Sequence, residues 1–279
     1  MSKTILLLDA YNMIHRCRFN WGGGMAEGEY TVIYNFNRLI RATVEEYNPD
    51  EIYFVIDGKP KQRLEKFADY KANRKKELTD PEEIAYWENF KRQKREIISM
   101  VREKLPLYLV SHPDQEADDL IYYLAKYKAS SEDKVIIISS DTDFIQVINE
   151  LDNVSLYNPV AKKWRQKTPY DYVSWKAMVG DRSDNIPGVR RVGKVTAEKI
   201  LKNGLLQEKM SDPSFRSSYE ASYSLIKLID LKEIEGEISI SKAVFNIENL
   251  KSDFERMEFK SILDPSYLSK YDKLLSELN

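Results

Sequence analysis

Four short apolar runs in the first half of the chain are each followed, within a few residues, by acidic side chains. The runs cover residues 5–8, 52–56, 107–110 and 135–138 and have the length and the apolar content of buried β-strands. Helical patterns lie between or after them, at 30–47, 81–105 and 116–128. Asp80 is placed to cap the second helix, and Pro81 suits its first turn. This alternation predicts an α/β fold with a mostly parallel sheet and flanking helices.

The positions of the acids predict a metal site. Ligands of open α/β sheets bind at the carboxyl ends of the strands, so acids that follow different strands are expected to share one crevice. Like charges held so near to each other repel strongly unless cations neutralise them. The chain has only two histidines and one cysteine, so the oxygen donors favour Mg²⁺, or Mn²⁺ in its place, over zinc. The candidate ligands are Asp9, Asp57, Glu116, Asp118, Asp119, Asp141, Asp143, Asp181 and Asp184.

Each acid taken alone has an ordinary explanation. A single aspartate after a strand is usually a helix cap or a turn residue, and residues 116–119 fit a solvated first turn favoured by the helix dipole. The pair Asp141 and Asp143, directly behind a buried strand, is harder to explain as surface. Because five separate segments bring acids to the same edge, we interpret them together as two metal positions. Two ions roughly 3.5–4 Å apart can clamp a scissile phosphate.

A basic segment follows the second strand. Residues 59–76 contain eight lysines and arginines against two acids, with Phe67 and Tyr70 among them. Cations beside aromatic rings suit a single nucleic-acid strand, although charge runs are more often solvated loops. The run starts two residues after Asp57, so it is expected to overhang the crevice. Its candidate nucleic-acid contacts are Arg63, Lys66, Tyr70 and Lys75.

A glycine-rich turn lies just beyond Asp184. Gly188 and Gly193 permit close backbone approach, and the helix that begins near residue 195 offers free N–H groups to a phosphate. Arg190, Arg191 and Lys194 add positive charge. The pattern is typical of a hairpin between two helices that grips duplex backbone without reading sequence, although such turns are often only turns.

Composition and chain organisation limit the class of protein, its location and its domain structure. The 279 residues carry a net charge of −2, which by itself neither favours nor excludes nucleic acid. No apolar stretch approaches the length of a membrane span, and the first residues do not resemble a signal peptide. Cys17 is the single cysteine, which favours a reducing cytoplasm. The strand pattern fades near residue 170, so we expect a catalytic domain at 1–170 and a helical domain at 171–279.

These motifs, in this order, resemble the 5′-nuclease family of flap endonucleases and 5′→3′ exonucleases. The likeness spans about residues 4–203 and is strongest to the bacteriophage ribonuclease H/flap nuclease branch, including residues 136–144 and 162–164 (KKW). Residues 20–29, with three consecutive glycines, match no family pattern. The motifs are 8–10 (LDA), 55–58 (VIDG), 70–74 (YKANR), 116–119 (EADD), 140–143 (SDTD), 180–188 (GDRSDNIPG) and 192–193 (VG).

The resemblance implies a PIN-like catalytic domain, a helical arch at about 58–105 and a helix–three-turn–helix DNA-binding element at about 180–203. It implies that Asp9, Asp57, Glu116 and Asp118 hold a first Mg²⁺, with Asp141 between the sites. Asp119, Asp143, Asp181 and Asp184 then belong to the second site, directly or through the groups around it. Lys71 and Arg74 match arch residues that contact the scissile phosphate. Several relatives bind K⁺ through backbone carbonyls of the corresponding turn. The resemblance therefore implies a K⁺ site at the turn around residues 188 and 193.

The implied activity is 5′→3′ exonuclease and flap endonuclease hydrolysis, including RNase H removal of RNA primers, in DNA replication or repair. Its substrates would be flapped, nicked or branched DNA and RNA–DNA hybrid, cut by a monomer in a bacterial or phage-infected cytoplasm. A single-stranded DNA-binding protein or a sliding clamp would be a partner. Two alternatives remain open: a non-catalytic DNA-binding relative without metal sites, and a small PIN-type ribonuclease, which usually lacks the arch and the hairpin.

Overall fold

A computed structural model describes residues 2–19, 28–74 and 78–279, and its centre is a seven-stranded mixed sheet. The sheet order is β6-β5-β4-β1-β2-β3-β7; the five inner strands are parallel, and the two edge strands pair antiparallel. The strands are β1 (Thr4–Asp9), β2 (Glu51–Val55), β3 (Tyr108–Ser111), β4 (Lys134–Ile138), β5 (Val154–Asn158), β6 (Lys163–Trp164) and β7 (Ser239–Lys242).

Helices cover both faces of the sheet, as the parallel strands require. The pleat sends alternate side chains of β1 to opposite faces: Leu6 and Leu8 enter one core, Ile5 and Leu7 the other. The helices are α1 (Ala10–Arg16), α2 (Thr31–Tyr47), α3 (Lys61–Lys66), α4 (Pro81–Glu103), α5 (Ala117–Tyr123), α6 (Ile145–Glu150), α7 (Tyr172–Val179), α8 (Lys194–Lys202), α9 (Leu206–Lys209), α10 (Pro213–Ile226), α11 (Ile247–Arg256) and α12 (Pro265–Ser276).

The predicted α/β class and the four predicted strands are confirmed. Asp80 caps α4 as expected, because its carboxylate accepts bonds from the backbone N–H groups of Glu82 and Glu83. The helix predicted over 116–128 is α5 continued by a π-helical turn at Leu124–Lys128.

Two expectations about the second half of the chain were wrong. Strand structure does not end near residue 170, since β7 pairs with β3 and closes that edge of the sheet. Nor do the last helices form a separate unit, because Phe254, Tyr271 and Leu275 are buried in the core that contains α2 and α4. The charged surfaces of α11 and α12 hide this in the sequence, because only one narrow apolar stripe of each helix faces the core.

A third apolar cluster unites α7, α8 and α10, and it also receives Phe67 and Tyr70 from the predicted arch. The arch region contains α3, a 3₁₀ turn at Ala72–Arg74 and α4, whereas Lys75 and residues 20–27 lie outside the described residues. None of the helices in the described ranges is both long enough and apolar enough to cross a membrane.

Candidate active site

The carboxyl ends of the central strands bring the first group of acids together. Asp9 ends β1 and caps α1, with its carboxylate accepting bonds from the Asn12 N–H and the Ser139 hydroxyl. Asp57 follows β2 and accepts a bond of 2.8 Å from the backbone N–H of Ala117 at the start of α5. Asp118 and Asp141 complete the group. These four acids line one cavity of about 970 Å³, as the strand-end argument predicted.

Charge repulsion within this group is visible in the pKa values. Burial, followed by the neighbouring charges of Asp57 and Asp141, raises the pKa of Asp9 from 3.8 to about 7. Burial and the charges of Asp141 and Asp9 also hold the pKa of Asp118 well above its ordinary value. Four carboxylates in one buried place are therefore unfavourable without cations.

A second group contains Asp143, Asp181 and Asp184. One carboxylate oxygen from each lies within 4.8 Å of the others, close enough for all three to hold one ion. Asp143 follows β4, whereas the other two lie in the loop after α7, where a short bridge pairs Asp181 with Ile186. The sheet and the helical layer thus each supply part of this group.

Lys176 partly neutralises the second group and was not predicted. Its side chain is buried on α7, and its ammonium contacts Asp143 and lies 2.6 Å from Oδ2 of Asp181. Burial raises the pKa of Asp143 to about 6 despite Lys176, whereas bonds from Lys176 and Ser183 outweigh burial and lower the pKa of Asp181 to about 2. A sequence signal existed, because residues 172–179 are mostly apolar or aromatic and this lysine is their one charge.

Arg63 is a buried structural cation, and its prediction as a nucleic-acid contact was wrong. Its side chain is 4% exposed, and its guanidinium donates to both oxygens of Asp119, at 2.5 and 2.8 Å, and to Glu116 at 2.8 Å. Its Nε donates to the carbonyl of Leu225 at the end of α10. No face of this side chain is left for a phosphate.

Asp119 likewise does not join the acids of the cavity. It is fully buried, and its Oδ1 accepts a further bond from the Ile229 N–H in addition to those from Arg63. The adjacent Asp118 lines the cavity, because successive residues of a helix point in different directions. Both of its oxygens accept bonds from a guanidinium, so the structure does not support Asp119 as a direct metal ligand, and its link to Glu116 runs through Arg63.

Lys71 and Arg74 lie over the crevice, as predicted for the basic segment. The ammonium of Lys71 contacts Glu116, and the guanidinium of Arg74 contacts Asp184. Tyr70 donates to Glu116 at 3.0 Å and to Asp184 at 3.2 Å, so it links Glu116 to the second acid group. Tyr70 was expected to present its ring to a base. It is buried in this bridge instead, so its ring is not available for stacking.

Hydrogen bonds to backbone carbonyls join this basic segment to the loop that carries Asp181 and Asp184. The Lys71 N–H donates to the carbonyl of Asp184 at 3.0 Å, and the Asn73 amide donates to the carbonyl of Arg182 at 2.6 Å. In return, the Asn185 amide donates to the carbonyl of Asp69 at 2.9 Å. The cations and the acids are therefore held as one unit.

The predicted DNA-binding element is a turn between α7 and α8. Arg190, Arg191 and Lys194 are exposed there, as is Lys66 on α3. Gly188 is buried with a φ of +71°, and a Cβ there would lie 2.5 Å from the backbone N of Gly180. Gly193 is exposed and has free space around it. The first glycine shapes the turn, and the second leaves the start of α8 open to a ligand.

The donor chemistry of the two acid groups fits divalent cations. Both consist of carboxylates, which are hard oxygen ligands, and burial makes their negative charges costly unless a cation is present. His15 and Cys17 line another part of the same cavity. Burial lowers the pKa of His15 to about 4 and raises that of the Cys17 thiol to about 12, so the thiol stays protonated.

Sequences of known proteins resemble this chain over most of its length. A family model described as "5'-3' exonuclease, N-terminal resolvase-like domain" matches residues 4–178. A 5′-3′ exonuclease of Aquifex aeolicus is 32% identical, and the match covers 94% of each chain. The thermostable DNA polymerase I of Thermus filiformis is 28% identical over 94% of this chain, which corresponds to 33% of the polymerase.

Solved structures share the fold. The flap endonuclease of bacteriophage T5, in a complex with DNA and metal ions, superposes with a TM-score of 0.70 at 19% identity over 99% of each chain. A T5 5′-exonuclease with bound zinc ions has a TM-score of 0.68 at 20% identity, covering 99% of this chain and all of that one. The family match covers well over half of the chain and coincides with the acidic cavity. The chain therefore belongs to the 5′–3′ exonuclease family and is a phosphodiester hydrolase.

Proposed function

We propose that this protein is a structure-specific 5′-nuclease that cuts flapped or nicked DNA, and RNA–DNA hybrid at RNA primers, with the help of divalent metal ions. The observation that carries the proposal is the cavity that brings Asp9, Asp57, Asp118 and Asp141 together with Lys71 and Arg74. The carboxylates in this cavity require bound cations, and the two basic side chains require a bound anion. A phosphodiester and its metal ions would together meet both requirements.

The first group and Glu116 would hold one ion, and Asp143, Asp181 and Asp184 would hold another, with Asp141 between them. Bound Mg²⁺ would neutralise the acids, polarise the phosphate and activate water. The three acids of the second group support this assignment because their oxygens already converge. We exclude Asp119 from the ligand set because Arg63 occupies it.

Lys71 and Arg74 would stabilise negative charge on the phosphate. In the DNA-free protein their cationic groups contact Glu116 and Asp184, and both side chains line the cavity. A phosphate and metal ions entering together would separate these pairs and leave each cation to face the phosphate oxygens. Their donors would then point at the charge that develops during hydrolysis.

Duplex DNA would be held by the turn between α7 and α8. Arg190, Arg191 and Lys194 are exposed there, and the start of α8 has no side-chain cap, so its N–H groups are available to a phosphate. Contacts of this kind position DNA without reading its sequence, which suits an enzyme that selects structure.

The decisive experiment compares labelled 5′-flap, nicked duplex and RNA–DNA hybrid in Mg²⁺, with wild-type protein and Asp141→Asn. The variant is expected to bind DNA but not to cut it. Asparagine retains an oxygen that can accept the bond from the Asp143 N–H, so the local fold should persist. Normal turnover by this variant would refute the metal assignment. If the wild type binds flaps without cutting any substrate, the protein is a non-catalytic binder; if it cuts RNA alone, it is a ribonuclease.

A further inference from the structure

The chain passes from one apolar cluster to another in a connecting segment, residues 225–229, at the end of α10. Leu225 and Ile226 are buried in the third cluster, with α7 and α8, whereas Leu228 is buried in the core that contains α5 and α6. Lys227 lies between them with an extended backbone, at φ −61° and ψ 130°. The connecting segment therefore joins the helical layer to the core of the sheet.

One side of the connecting segment is bonded to the buried ion pair of Arg63 and Asp119. Arg63 donates to the carbonyl of Leu225 at 2.9 Å and to that of Lys227 at 3.3 Å. The N–H of Ile229 donates to Oδ1 of Asp119 at 2.8 Å. Alternate residues of an extended chain direct their N–H and C=O groups to the same side. The odd-numbered residues therefore fix the plane of the Arg63 guanidinium.

The other side of the connecting segment is held by one side chain, Gln146 of α6. Its amide nitrogen donates to the carbonyl of Ile226 at 3.3 Å, and its amide oxygen accepts a bond of 2.9 Å from the N–H of Leu228. Gln146 thus bonds the even-numbered residues as a neighbouring strand would. It also lies just after Asp141 and Asp143, so it ties the connecting segment to the end of β4.

The guanidinium of Arg63 leads from the connecting segment to Glu116. It donates to Oε2 of Glu116 at 2.8 Å, and Tyr70 donates to the same oxygen at 3.0 Å. Lys71 contacts the other oxygen, but its proposed role is to turn toward the phosphate. Arg63 and Tyr70 would then remain to hold the carboxylate of Glu116, so the direction of the guanidinium sets the direction of the carboxylate.

We infer that Gln146 is a positioning residue for the metal ion at the first acid group: it fixes the connecting segment, which orients Arg63, which orients Glu116. The inference rests on the proposed function, because it takes Glu116 as a ligand. Groups that hydrogen-bond a ligand fix its orientation, and their loss commonly lowers metal affinity or activity by about 10- to 100-fold. Gln146 acts through Arg63, so its effect belongs at the lower end of that range.

The test compares two residues of α6 whose side-chain amides each hold a backbone segment. Gln146→Met removes both bonds to the connecting segment with little change in size. Asn149→Leu is the matched control, because the Asn149 amide binds the hydroxyl of Thr168 at 2.8 Å and its N–H at 3.0 Å. In the described part of the chain, Thr168 is not a partner of Arg63. Gln146→Glu keeps the acceptor for the connecting segment and loses the donor.

Two measurements distinguish positioning from stability. Calorimetric titration of the DNA-free protein with Mn²⁺ gives the affinity of each ion without reference to activity. Cleavage of 5′-flap DNA over a range of Mg²⁺ concentrations gives kcat and KM. Thermal unfolding shows how far each variant is destabilised.

Gln146→Met should weaken one Mn²⁺ ion by about 10-fold and leave the other unchanged. Its kcat should fall at limiting Mg²⁺ and recover as Mg²⁺ is raised, while KM for DNA stays at the wild-type value. Gln146→Glu should lie between wild type and Gln146→Met. Asn149→Leu should bind Mn²⁺ as wild type does, although its melting temperature falls.

Wild-type Mn²⁺ affinity in Gln146→Met would overturn the inference. So would equal weakening of both ions, or the same weakening in Asn149→Leu, since either would show general loosening of the fold. If Gln146→Met does not fold, Gln146→Glu decides by the same criteria. Failure of the proposed function looks different, because wild-type protein would then bind no Mn²⁺ or leave the flap uncut.

Discussion

The ammonium nitrogen of Lys176 lies 2.6 Å from Oδ2 of Asp181, at the place where three acids converge. This lysine is buried, so its charge and those of its partners depend on one another. The second acid group therefore contains a fixed protein cation in addition to any divalent ion that it binds.

We predict that Lys176→Met destabilises the metal-free protein by on the order of 3 kcal/mol, because removing one partner leaves buried carboxylates uncompensated. Mg²⁺ should raise the melting temperature of this variant more than that of wild type. Thermal unfolding with chelator and with Mg²⁺ measures both effects. Lys202→Met is the control, because it breaks only the exposed pair with Glu198. A Mg²⁺ response equal to that of wild type would contradict the neutralising role of Lys176.

Arg63 and Lys66 lie one helical turn apart on α3 but should behave in opposite ways. Arg63→Gln should cost about 3–5 kcal/mol of stability, because Asp119 loses its bidentate partner in the core, and it should lower kcat because Glu116 loses a donor. Lys66→Gln, at an exposed position, should leave stability unchanged and weaken DNA binding. Urea unfolding and DNA-binding titrations distinguish the two.

A double variant tests the Arg63 assignment further. Asp119→Asn should be destabilising alone, and combined with Arg63→Gln it should cost less than the sum of the two single changes, because the pair acts as one unit. If Arg63→Gln instead weakened DNA binding while unfolding at the wild-type urea concentration, Arg63 would be a nucleic-acid contact after all.

The raised pKa of Asp9 predicts the pH dependence of stability without metal. Folded protein keeps this proton up to about pH 7, whereas the unfolded chain loses it near pH 4. The folded state therefore binds more protons between these values, so the stability contributed by Asp9 is present at pH 4 and is lost as the pH rises to 7. Asn at position 9 does not titrate.

In chelator, the melting temperature of Asp9→Asn minus that of wild type should therefore grow from pH 5 to pH 8. Mg²⁺ at pH 8 should stabilise wild type more than the variant, because only wild type has the full set of repelling acids. Melting curves at the two pH values, with and without Mg²⁺, provide the measurement. A difference that shrinks as the pH rises would show that the carboxylate of Asp9 is not destabilised by its surroundings.

Gly188 and Gly193 separate the shape of the DNA-binding turn from its contact with DNA. Gly188→Ala should cost on the order of 1–3 kcal/mol, because it requires a φ of +71° and its Cβ would meet the backbone of Gly180. Gly193→Ala has free space, so stability should be unchanged. If the backbone at position 193 approaches a phosphate, the added methyl group should weaken duplex binding. Wild-type affinity of Gly193→Ala would remove this residue from the interface.

The α/β class, the central strands and the edge of the sheet where the acids meet could all be predicted from local patterns of residues. This was possible because buried strands have a local signature and because the carboxyl ends of parallel strands share one edge. The order of its motifs also indicated the family. Asp9, Asp57, Asp118 and Asp141 were identified in this way, and they line one cavity.

Which charges pair with each other depends on how distant segments of the chain pack together. Asp118 and Asp119 are neighbours in sequence, yet one lines the cavity and the other binds Arg63, because a helix turns adjacent side chains in different directions. The pairing of Lys176 was missed because its partner Asp143 comes from a segment far away along the chain. Burial and pairing depend on long-range packing, which no local pattern of residues records.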